Sequence, residues 1–136
     1  MKLSTRSRYG VRLILDLAQH YPEGAVQLGD IARRQEVSHK YLEQIIKPLR
    51  KAGIIESSRG ARGGYRLTRA PRKVKVGEVV ALLEGGTAIC ECSDDPRSCS
   101  RAATCPTRPL WAKAARSMFQ TLDRVSFHDL STGAWR

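Results

Sequence analysis

The sequence predicts a mainly α fold: a winged helix-turn-helix with a small β-hairpin wing and a long C-terminal dimerisation helix. Three observations carry that expectation. Two stretches with apolar residues at helical spacing follow one another across a short polar connection near residues 35–38. Two β-prone runs flanking a glycine- and arginine-rich segment come directly after them. Late in the chain, apolar residues recur every four positions from Leu110 to Leu122.

Taken in order, Ser4 or Thr5 can cap a first helix running to about Gln19. Tyr9, Val11, Leu13, Ile14, Leu15, Leu17 and Ala18 cover more than one face of it, so it should be buried on several sides. Tyr21-Pro22-Glu23-Gly24 reads as a turn. A second helix begins at Leu28, with Ile31 and Ala32 at i+3 and i+4, and stops near Gln35-Glu36. Val37 plugs the connection, and Ser38 is the N-cap of a third helix. Tyr41, Leu42, Ile45, Ile46 and Leu49 turn inward on that helix, leaving Ser38, His39, Lys40, Glu43, Gln44 and Lys47 outward.

Ile54-Ile55-Glu56 and Tyr65-Arg66-Leu67-Thr68 form the two expected strands, with Ser57 to Gly64 as the loop between them. Gly60, Gly63 and Gly64 allow positive φ and close backbone approach to phosphate, and Arg59 and Arg62 can reach a phosphate or a narrow minor groove. A fourth helix over 76–83 is ended by Gly85-Gly86. Pro109 suits the first turn of the long helix. Leu110, Ala114, Met118 and Leu122 form one stripe on it, and Trp111, Ala115 and Phe119 a second. Packing on the first helix would cover one stripe; packing on a second copy of the chain accounts for both. Phe127, Leu130 and Trp135 continue as an apolar tail. The expected organisation is a winged helix-turn-helix over 1–86, a cysteine-rich loop over 87–108, and the dimerisation helix and tail over 109–136.

Charge is distributed unevenly. Residues 1–73 hold 16 Lys/Arg against 6 Asp/Glu, whereas residues 74–136 hold 8 against 7, so nearly all of the net +11 lies in the N-terminal half. A positive surface on a helix-turn-helix points to double-stranded DNA, bound largely through phosphates. Gln44 can pair with adenine, Lys40 with guanine, and Glu43 can accept from a cytosine amino group. Glu43 also has two other readings: a repulsive element that penalises wrong sites, or the i+4 partner of Lys47. An RNA-binding module is disfavoured by the lack of an aromatic stacking surface.

All four cysteines lie between positions 90 and 105. Cys92, Cys99 and Cys105 sit in a polar run with Asp94, Asp95, Arg97 and Arg101, flanked by Pro96 and Pro106. A short hydrated loop carrying thiols suits a soft metal or an iron–sulfur cluster. Zinc held by all four cysteines is the alternative, although C-x-C-x6-C-x5-C lacks paired C-x2-C knuckles. A thiol redox enzyme is disfavoured, since no C-x-x-C is present and His20, His39 and His128 all lie far from the cysteines in sequence. No run of 18 apolar residues is present, so no membrane span is expected, and the arginines and Asp16 of the first helix argue against a secretory signal.

The segments RYGVRLILDLA, DIARRQEVSHKYLEQIIKPLRKAGII, RGARGGYRL and GEVVALLEG, with the C-x6-C-x5-C loop leading into LW, resemble the winged-helix iron–sulfur transcription regulator family that includes IscR, NsrR and the cluster-free CymR. The likeness spans nearly the whole chain. It implies a bacterial, cytoplasmic, homodimeric regulator, in effect a repressor, acting on a palindromic operator. Members that keep the three cysteines hold a 2Fe–2S or 4Fe–4S cluster and sense cluster supply, nitric oxide or redox stress. By position, Cys92, Cys99 and Cys105 match the cluster cysteines. Ser38, Lys40, Glu43 and Gln44 match the recognition helix, and Arg59 the wing. Several members place a histidine two residues after the last cysteine; here that position is Thr107, and Arg8 and Arg12 stand where others use an acidic or histidine side chain. The fourth ligand stays open among Cys90, a residue of the partner subunit, and a small molecule or water.

Overall fold

Ser4 opens the first helix, its hydroxyl accepting from the N–H of Ser7 at 3.0 Å. The computed structural model describes residues 2–136, and in it α1 spans Thr5–Gln19. Leu13, Ile14 and Leu17 are almost wholly shielded from water, as the multi-sided apolar pattern requires. Gly10 faces Leu83 so closely that a Cβ there would lie 2.1 Å from the leucine methyl; glycine lets α1 cross α4 (Val76–Glu84) at short range.

Helix α2 spans Leu28–Gln35 and α3 spans His39–Lys51. Between them Glu36 takes a left-handed conformation at φ 53°, and the Val37 N–H turns back to the Ala32 carbonyl at 3.1 Å. Ser38 caps α3 by accepting from the Tyr41 N–H at 3.1 Å. Leu42, Ile45, Ile46 and Leu49 all point into the core shared with α1.

The wing is tighter than its sequence suggests. Strand β1 is Ile55–Ser58 and β2 is Gly64–Leu67, paired antiparallel from Ile55↔Leu67 to Ser58↔Gly64. The expected strands over 54–56 and 65–68 therefore shift, and the loop shrinks from 57–64 to 59–63. Ser57 and Ser58 are exposed and polar, yet ribbon pairing uses their backbone rather than their side chains. Gly64 explains the new boundary: at φ +146° it lies against Val26, where a Cβ would come within 2.3 Å of the Val26 carbonyl oxygen. Gly60 has positive φ as expected; Gly63 does not, and is needed because a Cβ would strike the Ser58 carbonyl oxygen at 2.4 Å.

After α4, ended by Gly85 in the left-handed region, the chain does not stay irregular until residue 108. It forms a single turn α5, Glu91–Asp94, and a 3-10 turn at Pro96–Ser98. Helix α6 then spans Arg108–Arg124 with Pro109 in its first turn. It packs along α4 and α5 rather than on α1. The tail is likewise more ordered than a bare apolar extension. Ser126 and Asp129 form a reciprocal cap on α7, Phe127–Thr132, which packs against α1. The N–H of Val76 donates to Val125, and that of Phe127 to Val74, both at 3.0 Å. Phe127 is fully buried in the same core as Leu13, Ile45 and Val79, while Trp135 remains exposed. No helix among the described residues is long and apolar enough to cross a membrane.

Candidate functional site

Apolar side chains gathered on one side of α3 fix which side faces out: Leu42, Ile45, Ile46 and Leu49 anchor it in the core. Ser38, His39, Lys40, Glu43, Gln44 and Lys47 are all exposed, along the opposite side. Ser38 doubles as the helix cap, so its hydroxyl already holds the first turn. Glu43 is not paired with Lys47; its carboxylate lies 3.4 Å from His39 Nδ1, one turn toward the N-terminus. That leaves Lys40 and Lys47 without ion pairs among the described residues. Arg59 and Arg62, exposed on the wing loop, likewise make none. Arg66, one strand further on, is different: its Nε donates to Glu56 at 2.6 Å across the ribbon, fixing the wing rather than leaving its charge available.

A polar network that sequence reasoning missed sets how α3 is presented. Asp16, buried in α1, accepts from Arg34 Nε at 3.0 Å, Arg34 Nη2 at 2.6 Å and Gln35 Nε2 at 3.0 Å. Burial would push its carboxyl pKa up; the hydrogen bonds from Arg34 and Gln35, with the charges of Arg34 and His20, outweigh that and hold it below the ordinary value. Arg12 Nε donates to Gln35 Oε1 at 3.0 Å while its guanidinium lies 5.0 Å over the Tyr9 ring. Tyr9 meets Tyr41 of α3 edge to face, with centroids 5.9 Å apart. Helices α1, α2 and α3 are thus locked through side chains whose partners lie far apart in sequence. A charged Asp16 inside an apolar run was the one local sign of it.

The cysteines form a separate region between α4 and α6. Cys90, Cys92, Cys99 and Cys105 are free and half-buried. Cys90 and Cys92 bring their sulfurs to 3.7 Å, and this contact, with partial burial, pushes the Cys92 thiol up. Cys105 lies at the start of α6. Hydrogen bonds from the Thr107 hydroxyl, at 3.2 Å, and from the Thr107 and Arg108 N–H groups hold its thiol below the usual range. Arg108 Nε donates to the Cys92 carbonyl at 2.7 Å, tying the loop to the first residue of α6. No three His, Cys, Asp or Glu side chains among the described residues converge on one point. Four soft thiols on one solvated loop fit an iron–sulfur group by their chemistry, and gathering Cys99 and Cys105 to the others requires only that loop to close.

Comparison with known proteins decides the class. The family described as Rrf2, iron-dependent transcriptional regulator, matches residues 3–133. The chain belongs to this family. It is 47% identical to protein rrf2 of Nitratidesulfovibrio vulgaris, covering 98% of this chain and 89% of that protein. Among solved structures it is similar to IscR of T. potens, with a TM-score of 0.81, 41% identity and coverage of 98% and 88% of the two chains. It is also similar to CymR of B. subtilis, described as the global cysteine regulator of that organism, with a TM-score of 0.80, 35% identity and 97% coverage of both chains. The chain is therefore an Rrf2-family transcriptional regulator with a winged-helix fold, and its relatives are regulators rather than enzymes.

Proposed function

We propose that the chain is a cytoplasmic, homodimeric repressor that docks on a palindromic duplex operator and reports iron–sulfur cluster status, nitric oxide or redox state through Cys92, Cys99 and Cys105. The observation that carries the DNA half is the exposed face of α3 and the wing, where Lys40, Lys47, Arg59 and Arg62 keep their charge free of partners among the described residues. In this reading residues 1–86 bind DNA, 87–108 hold the cluster and 109–136 carry the dimer contact. Gln44 and Lys40 read base edges, Ser38 orients the start of the helix, and His39 holds the Glu43 carboxylate so that it repels backbone at sites offering it no base partner. Leu110 and Trp111, 56% and 42% exposed, begin the α6 stripe; a second copy of the chain covers them.

A bound cluster would supply an iron centre that oxidants or nitric oxide can alter. The protein's own part is to transmit the loop's shape. Ligation by Cys92, Cys99 and Cys105 would gather the loop, and Arg108, bonded to the Cys92 carbonyl, would carry that change to the start of α6. Selection from a random duplex library with the full-length protein tests the DNA half. The reading predicts inverted repeats whose half-sites lie about 34–36 Å apart or a multiple of this. If about 6–10 phosphates are neutralised, affinity falls roughly 10³–10⁵-fold between 50 and 200 mM salt. Binding that is insensitive to salt, or equal competition by single strands, overturns it.

A further inference from the structure

The geometry points to Cys90 as the fourth protein ligand of the cluster, sharing one iron with Cys92. This rests on the cluster reading above and names the donor that reading leaves open. A tetrahedral metal with thiolate bonds of about 2.3 Å sets two of its sulfurs roughly 3.8 Å apart. Cys90 and Cys92 already stand at 3.7 Å, the separation of two donors on one ion.

The other donors near the loop are otherwise engaged or of the wrong kind. The Thr107 hydroxyl is a hard ligand and is occupied with Cys105. Asp95 caps the 3-10 turn and accepts from the Arg97 side chain at 3.0 Å. His20 is tied to the Asp16 carbonyl, His39 to Glu43, and His128 belongs to α7, so none stands in the loop. Glu91 and Asp94 are exposed but offer hard oxygen where iron–sulfur centres take thiolate or imidazole. Space is also present: Cys90 lines a depression of about 470 Å³ with Glu84, Gly86, Ile89 and Asp94.

The test uses full-length protein purified and reconstituted without oxygen, comparing the unmodified chain with Cys90→Ser, Cys90→Ala and Cys90→His. The unmodified protein should contain iron and sulfide with thiolate-only terminal ligation by Mössbauer spectroscopy. Cys90→Ser and Cys90→Ala should change the absorption and circular dichroism of the centre and release iron to a chelator more than about tenfold faster, beyond the loss that even outer-shell changes bring. Cys90→His should retain iron and raise the reduction potential, as imidazole does in place of thiolate. Spectra, release rates and potentials unchanged in all three variants overturn the assignment while leaving the cluster reading intact. Iron absent from the unmodified protein, with zinc or a Cys90–Cys92 disulfide in its place, overturns both.

Discussion

The winged body and the cysteine segment are built on opposite terms. In the first, α1, α2, α3, α4 and α7 share one core in which Leu13, Ile31, Ile45, Val79 and Phe127 have no exposed surface, and Asp16 is satisfied by two neighbours. In the second, one helical turn and one 3-10 turn hold four half-exposed thiols, with Arg108 as a tie to the helix that follows. A rigid body suits a surface that must match DNA. A lightly held segment suits a ligand that must rearrange it, because few buried contacts oppose the change.

That contrast can be broken most severely at Phe127. If the tail belongs to the winged body, Phe127→Ala should cost about 3–5 kcal/mol in denaturant unfolding. A loss below about 1 kcal/mol would detach α7 from the core. Next in size is Asp16→Ala, which leaves Arg34 and Gln35 without their acceptor. Arg34 is 34% exposed, so water screens part of the attraction, and the expected cost is about 3 kcal/mol, the lower end for a broken buried pair. The pH dependence has a definite sign. Because the folded pKa of Asp16 is depressed below 3.8, its contribution is complete above that value and is lost as pH falls through the folded one. Acid unfolding of Asp16→Asn should lack this component.

On the DNA side, Arg59→Ala or Lys40→Ala should each weaken binding across sequences. Where the side chain meets a phosphate, the log–log salt slope should also fall by about 0.9. Glu43→Ala should leave affinity for the selected operator within a few-fold and broaden the set of bound sequences, read by repeating the selection. The smallest effect belongs to the other region: Cys99→Ser, in cluster-free protein, should shift unfolding by no more than about 0.5 kcal/mol. A larger loss would mean the segment is structural and not a responsive loop.

What could be read from sequence follows the same division. Helices α1 to α4 were legible because their signals are local: Ser4 and Ser38 as caps, apolar spacing along α3, Gly85 as the stop. The wing strands were displaced because exposed Ser57 and Ser58 pair through backbone alone, and because Gly64 answers to Val26, far back in the chain. Helix α7 was missed since Phe127 is fixed by Val74, which no local pattern connects to it. The outward face of α3 followed from periodicity, yet the partner of Glu43 did not, as His39 and Lys47 are equally spaced from it along the helix. In the cysteine segment composition gave the donor chemistry; the Cys90–Cys92 contact and the Arg108 tie depend on turns too short to carry a periodic signal.

The account centres on communication between these regions, and the direct measurement is operator affinity with and without iron. Anaerobically loaded protein, its chelator-stripped form and a Cys92→Ala/Cys99→Ala/Cys105→Ala variant would be titrated against the selected duplex at fixed salt. Loaded and stripped protein should differ about 5–150-fold, the range of typical allosteric coupling, with the triple variant matching the stripped form. Three equal affinities, on protein shown to carry iron, would contradict it.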